Sequence, residues 1–229
     1  MIPPRENPFR VDRVSTLPFI GANVPALAEA FLKLGRAAIV GQHGTGKSTL
    51  LRTLGDYLTE AGYEVKHISL PGSATAAERR AALNFSVGAR PASPEGVDCP
   101  SRATQASPLQ NGEVVLFDGF EQLGWLQRRR VLRWPRLLVT AHAPTRLPTL
   151  ITLKPTLAEL DRVIERLLPD ADAEVRSFAR AAFVRHRGDV RATLFDLYDA
   201  VSVPSPVGTR GRGQKAVLPG DDDGGRVVV

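Results

Sequence analysis

Apolar positions follow two rhythms through most of this chain, and a single rhythm near its end. Ala37–Val40 is an unbroken apolar run that stops at Gly41, the pattern of a strand buried on both faces. Leu50, Leu51, Leu54 and Leu58 then recur at helical spacing, which predicts a helix from Lys47 to about Ala61, stopped by Gly62. Tyr63–Leu70 alternates like a second strand and ends at Pro71 and Gly72, and Ala74–Leu83 fits one short helix. Val114–Phe117 predicts a third strand running into Asp118, Leu137–Ala141 a fourth, and Thr149–Leu153 a fifth. Upstream, a helix is expected from Val24 to Lys33 with Pro25 in its first turn. An arginine-rich helix is expected from about Glu121 to Arg133, closed by Pro135.

Beyond Leu157 only the helical rhythm remains. One face carries Leu157, Leu160, Ile164, Leu167 and Leu168. A second carries Val175, Phe178, Ala179, Ala182 and Phe183, and a third Val190, Leu194, Leu197, Tyr198 and Val201. Strands that alternate with helices and are apolar on both faces form a parallel sheet covered on both sides. The expected fold is therefore α/β, a three-layer sandwich around a mainly parallel five-stranded sheet, with a small helical lid. The expected divisions are an extended N-terminal segment (1–17), a core (18–153) with a mobile loop (86–112), the lid (154–202) and a disordered tail (203–229).

Composition narrows the setting. The chain has 229 residues and a 43% hydrophobic share, enough for one α/β domain with an appendage. A lone cysteine, Cys99, allows no internal disulfide, so a reducing, cytoplasmic setting is expected. Met1–Arg10 lacks the apolar run of a signal peptide, and no stretch approaches the roughly 20 apolar residues of a membrane span. The net charge of +6, mostly arginine, permits an anionic partner without requiring one.

The chemistry is concentrated in one loop. Gly41-Gln42-His43-Gly44-Thr45-Gly46-Lys47-Ser48 fits G-x-x-x-x-G-K-[ST], with a strand before it and a helix after it. Glycines let successive backbone N–H groups point inward and wrap phosphate oxygens, and the helix adds its positive N-terminal end. Lys47 would reach the β- and γ-phosphates, Ser48 would hold Mg²⁺, and Thr49 would sit beside the α-phosphate. Asp118 at its strand end would hold Mg²⁺ from the other side. Hydrolysis also needs a group that polarises water. Glycine, not glutamate, follows Asp118, which leaves Glu121 as the candidate carboxylate, against the plainer reading of a helix-start glutamate.

From about Phe19 to Val201 the order of motifs resembles an AAA+ ATPase, most similar to the clamp-loader and replication-initiation branch. The phosphate loop and acidic strand are common to all P-loop NTPases; two further features carry the branch. Thr140, near the end of the fourth strand, matches the family's sensor-1 position and would touch the γ-phosphate or the attacking water; His142 is an alternative for that role. Gly188-Asp189-Val190-Arg191 looks like the lid motif that delivers a sensor-2 arginine, here Arg191, to the γ-phosphate. Leu153-Lys154-Pro155-Thr156-Leu157 resembles the entry to the family's lid. The resemblance implies ATP and Mg²⁺, hydrolysis, and a homo-oligomer or protein partner. Asn7–Gly21 would pack near the base.

The sequence departs from the family at Gly119, in the short Ala141–Pro148 connection and in the 86–112 loop. Arg146 in that connection is either an arginine finger for a neighbouring copy or an exposed loop arginine. Arg128, Arg129 and Arg130, flanked by Trp125 and Trp134, form a possible nucleic-acid patch, but a solvated helix face with inward tryptophans is favoured. Two other functions stay open: a nucleotide-dependent switch with little hydrolysis, and a P-loop kinase for a small molecule. No N-K-x-D segment specifies guanine, which argues against a GTPase.

Overall fold

The computed structural model describes residues 5–83 and 112–202. The expectations for residues 86–111 and 203–229, and Cys99, lie outside the described residues. Five strands, β1 (Arg36–Gly41), β2 (Glu64–Ser69), β3 (Glu113–Asp118), β4 (Leu137–Ala141) and β5 (Thr149–Leu153), form one sheet in the order β2-β3-β4-β1-β5. Every pairing is parallel.

Successive side chains of a strand point to opposite faces, and here each face has its own core. Ala37, Ile39, Val114, Leu116 and Leu138 pack with helices α2 (Val24–Leu34) and α3 (Lys47–Glu60). Their neighbours Ala38, Val40, Val115, Phe117, Leu137 and Val139 pack on the other side, with α4 (Ala76–Leu83) and α5 (Trp125–Val131). That alternation is the three-layer sandwich. Leu50, Leu51, Leu54 and Leu58 of α3 are fully buried, each contributing about 1.5–3 kcal/mol of transfer free energy before ordering costs. Gly55 lets α3 sit close to the sheet: a Cβ there would lie 2.6 Å from a methyl of Leu116.

Helices α6 (Leu157–Leu167), α7 (Ala173–Arg185) and α8 (Val190–Val201) pack around Leu160, Ile164, Ala179, Phe183, Leu194 and Leu197. Side-chain caps start all three. Thr156 and Glu159 form a reciprocal capping box on α6, and Asp172 and Asp189 accept the N–H groups of Val175 and Ala192.

Two local expectations are corrected. The N-terminal segment is not extended throughout: Val11–Thr16 is a short helix, α1. Tertiary anchors hold it. Asn7 and Phe9 are buried in the lid, Val14 packs on the lid core, and Arg52 of α3 donates to the carbonyls of Ser15 and Leu17. The segment thus straps the lid to the sandwich. The arginine helix is also broken in two. A 3-10 turn, Phe120–Gln122, is followed by extended Leu123, and α5 begins only at Trp125. The break buries Phe120 and Leu123, and Arg128 donates to the carbonyls it opens, at Leu123 (2.8 Å) and Glu121 (2.7 Å).

Candidate functional site

The strand order decides what meets at the C-terminal edge of the sheet, where open parallel sheets bind ligands. β4 lies between β1 and β3, so the end of β4 falls between the glycine loop and Asp118. Gly41 closes β1 because a side chain would collide there: a Cβ would meet Thr45 Oγ1 at 2.7 Å. Gly44 and Gly46 adopt φ of 68° and 88°, a left-handed conformation costly for other residues. Gly46 offers no side-chain cap to α3, so the first-turn N–H groups of that helix remain available to an anion. Thr45 is buried, and its hydroxyl braces the loop by donating to the Gln42 carbonyl at 2.9 Å.

Lys47 is 8% exposed. Its ammonium donates to the Gln42 carbonyl at 2.6 Å and lies 3.3 Å from His142 Nδ1. Desolvation pulls its pKa below the usual lysine value, opposed by the charges of Glu121, Asp118 and Asp189. His142 Nε2 in turn lies 2.8 Å from Glu121 Oε1, and the His142 ring packs 3.9 Å from that of His43. Glu121 Oε2 is buried with no hydrogen-bond partner among the described residues. A continuous contact path thus runs from the phosphate loop to a carboxylate, with His142 at its centre.

Gly119 explains why no glutamate follows Asp118. Its φ is 81°, and a Cβ would fall on the Leu70 carbonyl oxygen. The backbone turns instead, and the 3-10 turn presents Glu121 to the site. Thr140 lines a cavity beside Lys47 and Asp118. Its buried hydroxyl donates to Asp118 Oδ1 at 2.5 Å and accepts from Gly119 N at 3.1 Å, so it orients the acidic strand end.

From the lid, α8 meets the loop directly. A Cβ on Gly44 would fall on the Asp189 carboxylate, while Asp189 Oδ1 caps α8 by accepting from Ala192 N at 2.8 Å. Arg191 is exposed, stacks over Phe195 at 5.7 Å and lines the same cavity as Lys47 and Asp118. That cavity holds about 820 Å³. Its polar lining includes the loop with Ser48, Thr49, Asp118 and Glu121, and its apolar lining includes Val14, Phe19, Pro155, Val163 and Leu194. Phe19 lies on Gly46, where a Cβ would approach its ring at 2.9 Å.

Other candidates fall away from this centre. Arg146 is exposed in the β4–β5 connection and does not line the cavity. Arg128 turns inward over Phe120, Trp134 is buried, and Trp125 is 66% exposed, so the arginines and tryptophans form no joint surface. Sequence reasoning ranked His142 behind Thr140. The signal for it was its position two residues past Thr140, just beyond the end of β4.

This fold and loop define a nucleotide-binding P-loop ATPase. A family model described as AAA domain matches residues 35–160, more than half of the chain, and the protein belongs to that family. Among solved structures, the Aeropyrum pernix ORC1 protein in complex with DNA matches with a TM-score of 0.57 and 19% identity, over 85% of this chain and 63% of that one. Drosophila ORC bound to DNA matches with a TM-score of 0.47 and 12% identity, over 75% of this chain and 58% of that one. At 19% identity the likeness to the Aeropyrum pernix protein is one of fold. No curated protein matches the sequence. Among the described residues, no helix is long and apolar enough to cross a membrane.

Proposed function

We propose that the protein binds Mg-ATP in this cavity, hydrolyses it, and couples nucleotide state to movement of the α6–α8 lid and to partner binding. The observation that carries this reading is the Lys47–His142–Glu121 contact path beside Asp118, at the open N-terminus of α3.

An ammonium only donates, so His142 Nδ1 is the acceptor, and Nε2 carries the proton and donates to Glu121 Oε1. His142 thereby positions Glu121. Its unpartnered Oε2 is the group available to take a proton from water. Ser48 and Asp118 offer the hard oxygen donors that Mg²⁺ prefers, with phosphate and water as its remaining ligands; bound there, the ion would neutralise charge on the β- and γ-phosphates. Thr140 holds the Asp118 carboxylate for that task. Asp189 rests on Gly44, where an incoming phosphate would repel it. Displacing it would shift the start of α8 and bring Arg191, with its forked guanidinium, toward the phosphate in its place. Arg146, exposed on the β4–β5 connection, would then be open to a second copy.

A switch with little turnover is the second reading, favoured by the hold of His142 on Glu121. A nucleic-acid partner through Arg128–Arg130 is not favoured, since Arg128 is bound internally. The test measures ATP binding and turnover separately in wild type, Lys47→Ala and Glu121→Gln. Lys47→Ala should weaken binding by about 10–100-fold, the worth of its charged hydrogen bonds. Glu121→Gln should keep affinity within a few-fold and slow turnover by about 100-fold or more. Binding without turnover at any protein concentration leaves the switch. Undiminished binding by Lys47→Ala refutes the site.

A further inference from the structure

Resting on the reading that a nucleoside triphosphate places its phosphates on the glycine loop, the rest of the cavity must take the base. One carboxylate there has an oxygen that the fold leaves unused. Glu159 sits in the first turn of α6 and lines the cavity. Its Oε2 is fully committed to the capping box, accepting from Thr156 N at 2.7 Å and from the Thr156 hydroxyl at 3.0 Å. Its Oε1 has no hydrogen-bond or ion partner among the described residues. The cap fixes the side-chain direction, so Oε1 is held in place and not merely free.

The strap meets that oxygen directly. Gly21 has φ of 107°, and a Cβ there would fall on Glu159 Oε1. Only a hydrogen-sized neighbour lets the chain pass so close. Gly21 and Glu159 are thus in contact, and both line the cavity together with Phe19, Pro155, Val163 and Leu194. A flat, largely apolar ring fits such a surface, and a single acceptor at its edge selects a ring with a donor at that edge.

We propose that Glu159 accepts a hydrogen bond from the exocyclic 6-amino group of the purine, and so makes the site selective for adenine nucleotides. A carboxylate oxygen accepts and never donates. Adenine offers an amino donor at position 6, whereas guanine offers the O6 acceptor there, which the carboxylate repels. Guanine's N1–H and 2-amino pair would be matched by both oxygens of a carboxylate together. Here Oε2 is engaged by the cap, so one acceptor meets one amino group.

The test compares three ligands on the full chain, each displacing a fluorescent ATP analogue: ATP, purine riboside triphosphate, which lacks only the 6-amino group, and GTP. The variant is Glu159→Gln. Glutamine also serves in a capping box, so α6 keeps its cap while the ligand-facing atom becomes a donor. Wild type should prefer ATP over purine riboside triphosphate by about tenfold or more, the usual worth of a hydrogen bond to a charged group. Glu159→Gln should bring that ratio close to one and narrow the gap between ATP and GTP. If the exchange unfolds the lid, the double variant Thr156→Asp, Glu159→Ala supplies a cap without the second acceptor, and the same ratios are read on it. An equal ATP preference in wild type and variant overturns the assignment of Glu159 while the phosphate site stands. Failure of every triphosphate to bind, or binding insensitive to Lys47→Ala, overturns the phosphate site and this inference with it.

Discussion

Asn7 lies far from any motif, yet its replacement by alanine should be among the costlier single changes in the protein. Its side chain is 0% exposed and makes three hydrogen bonds. Nδ2 donates to the Tyr198 carbonyl at 2.9 Å and to the Ser202 hydroxyl at 2.8 Å, both at the end of α8; Oδ1 accepts from Phe9 N at 2.9 Å. Alanine would remove all three, but their costs differ. The Tyr198 carbonyl keeps its helix-end bond from Ser202 N, and the half-buried Ser202 hydroxyl can turn to water. Each of those losses costs about 0.5–1 kcal/mol. Phe9 N sits beside a phenyl ring that is 2% exposed and would be left without an acceptor, at about 1–3 kcal/mol. The total is roughly 3 kcal/mol, which for a chain of this size lowers Tm by about 6–12 °C. Thermal unfolding of Asn7→Ala, with the exposed neighbour Glu6→Ala as control, checks it. The variant should also bind ATP more weakly, because the strap it loosens forms one wall of the cavity. A Tm within 2 °C of wild type would refute the claim that this segment is a fixed part of the fold.

Two further outcomes are expected. Thr140→Val keeps shape but strips Asp118 of its 2.5 Å donor and leaves Gly119 N without its acceptor. It should cost about 1–3 kcal/mol in urea unfolding and slow turnover more than it weakens binding. Asp196 joins α7 to α8 through His186 and Arg185, each at 2.6 Å; hydrogen bonds, first from His186 and then from Arg185, hold its carboxyl below the usual carboxylate range. A lowered carboxylate adds stability that is complete above the unfolded value near pH 3.9 and is lost as pH falls through the folded value. Melting temperatures of wild type and Asp196→Asn should therefore differ at pH 5 and converge as pH falls through the lowered folded value; parallel curves would refute the pairing.

What was legible in the sequence was local. The unbroken run Ala37–Val40, the glycine loop and the leucines of α3 carry their structure in nearest neighbours and in periods of two or 3.6 residues. So do the lid helices, whose three apolar faces recur at helical spacing. Gly119 was readable as a departure from the family, but its cause, the Leu70 carbonyl, belongs to another strand end. The break before α5 escaped detection because the arginine that satisfies it, Arg128, looks like any helical arginine.

Tertiary structure alone decided which distant residues meet. His142 reaches Lys47 across 95 positions because β4 is inserted between β1 and β3, an order that no periodicity encodes. Asn7 finds Tyr198 across 191 positions, which turns a proline-bearing segment into a strap. Glu159 caps its own helix locally, but only the approach of Gly21 set its second oxygen against the strap. The physical reason is common to all three. Burial pattern specifies each element and the face it hides, while the packing of layers and the crossovers between strands choose which loop ends share a cavity.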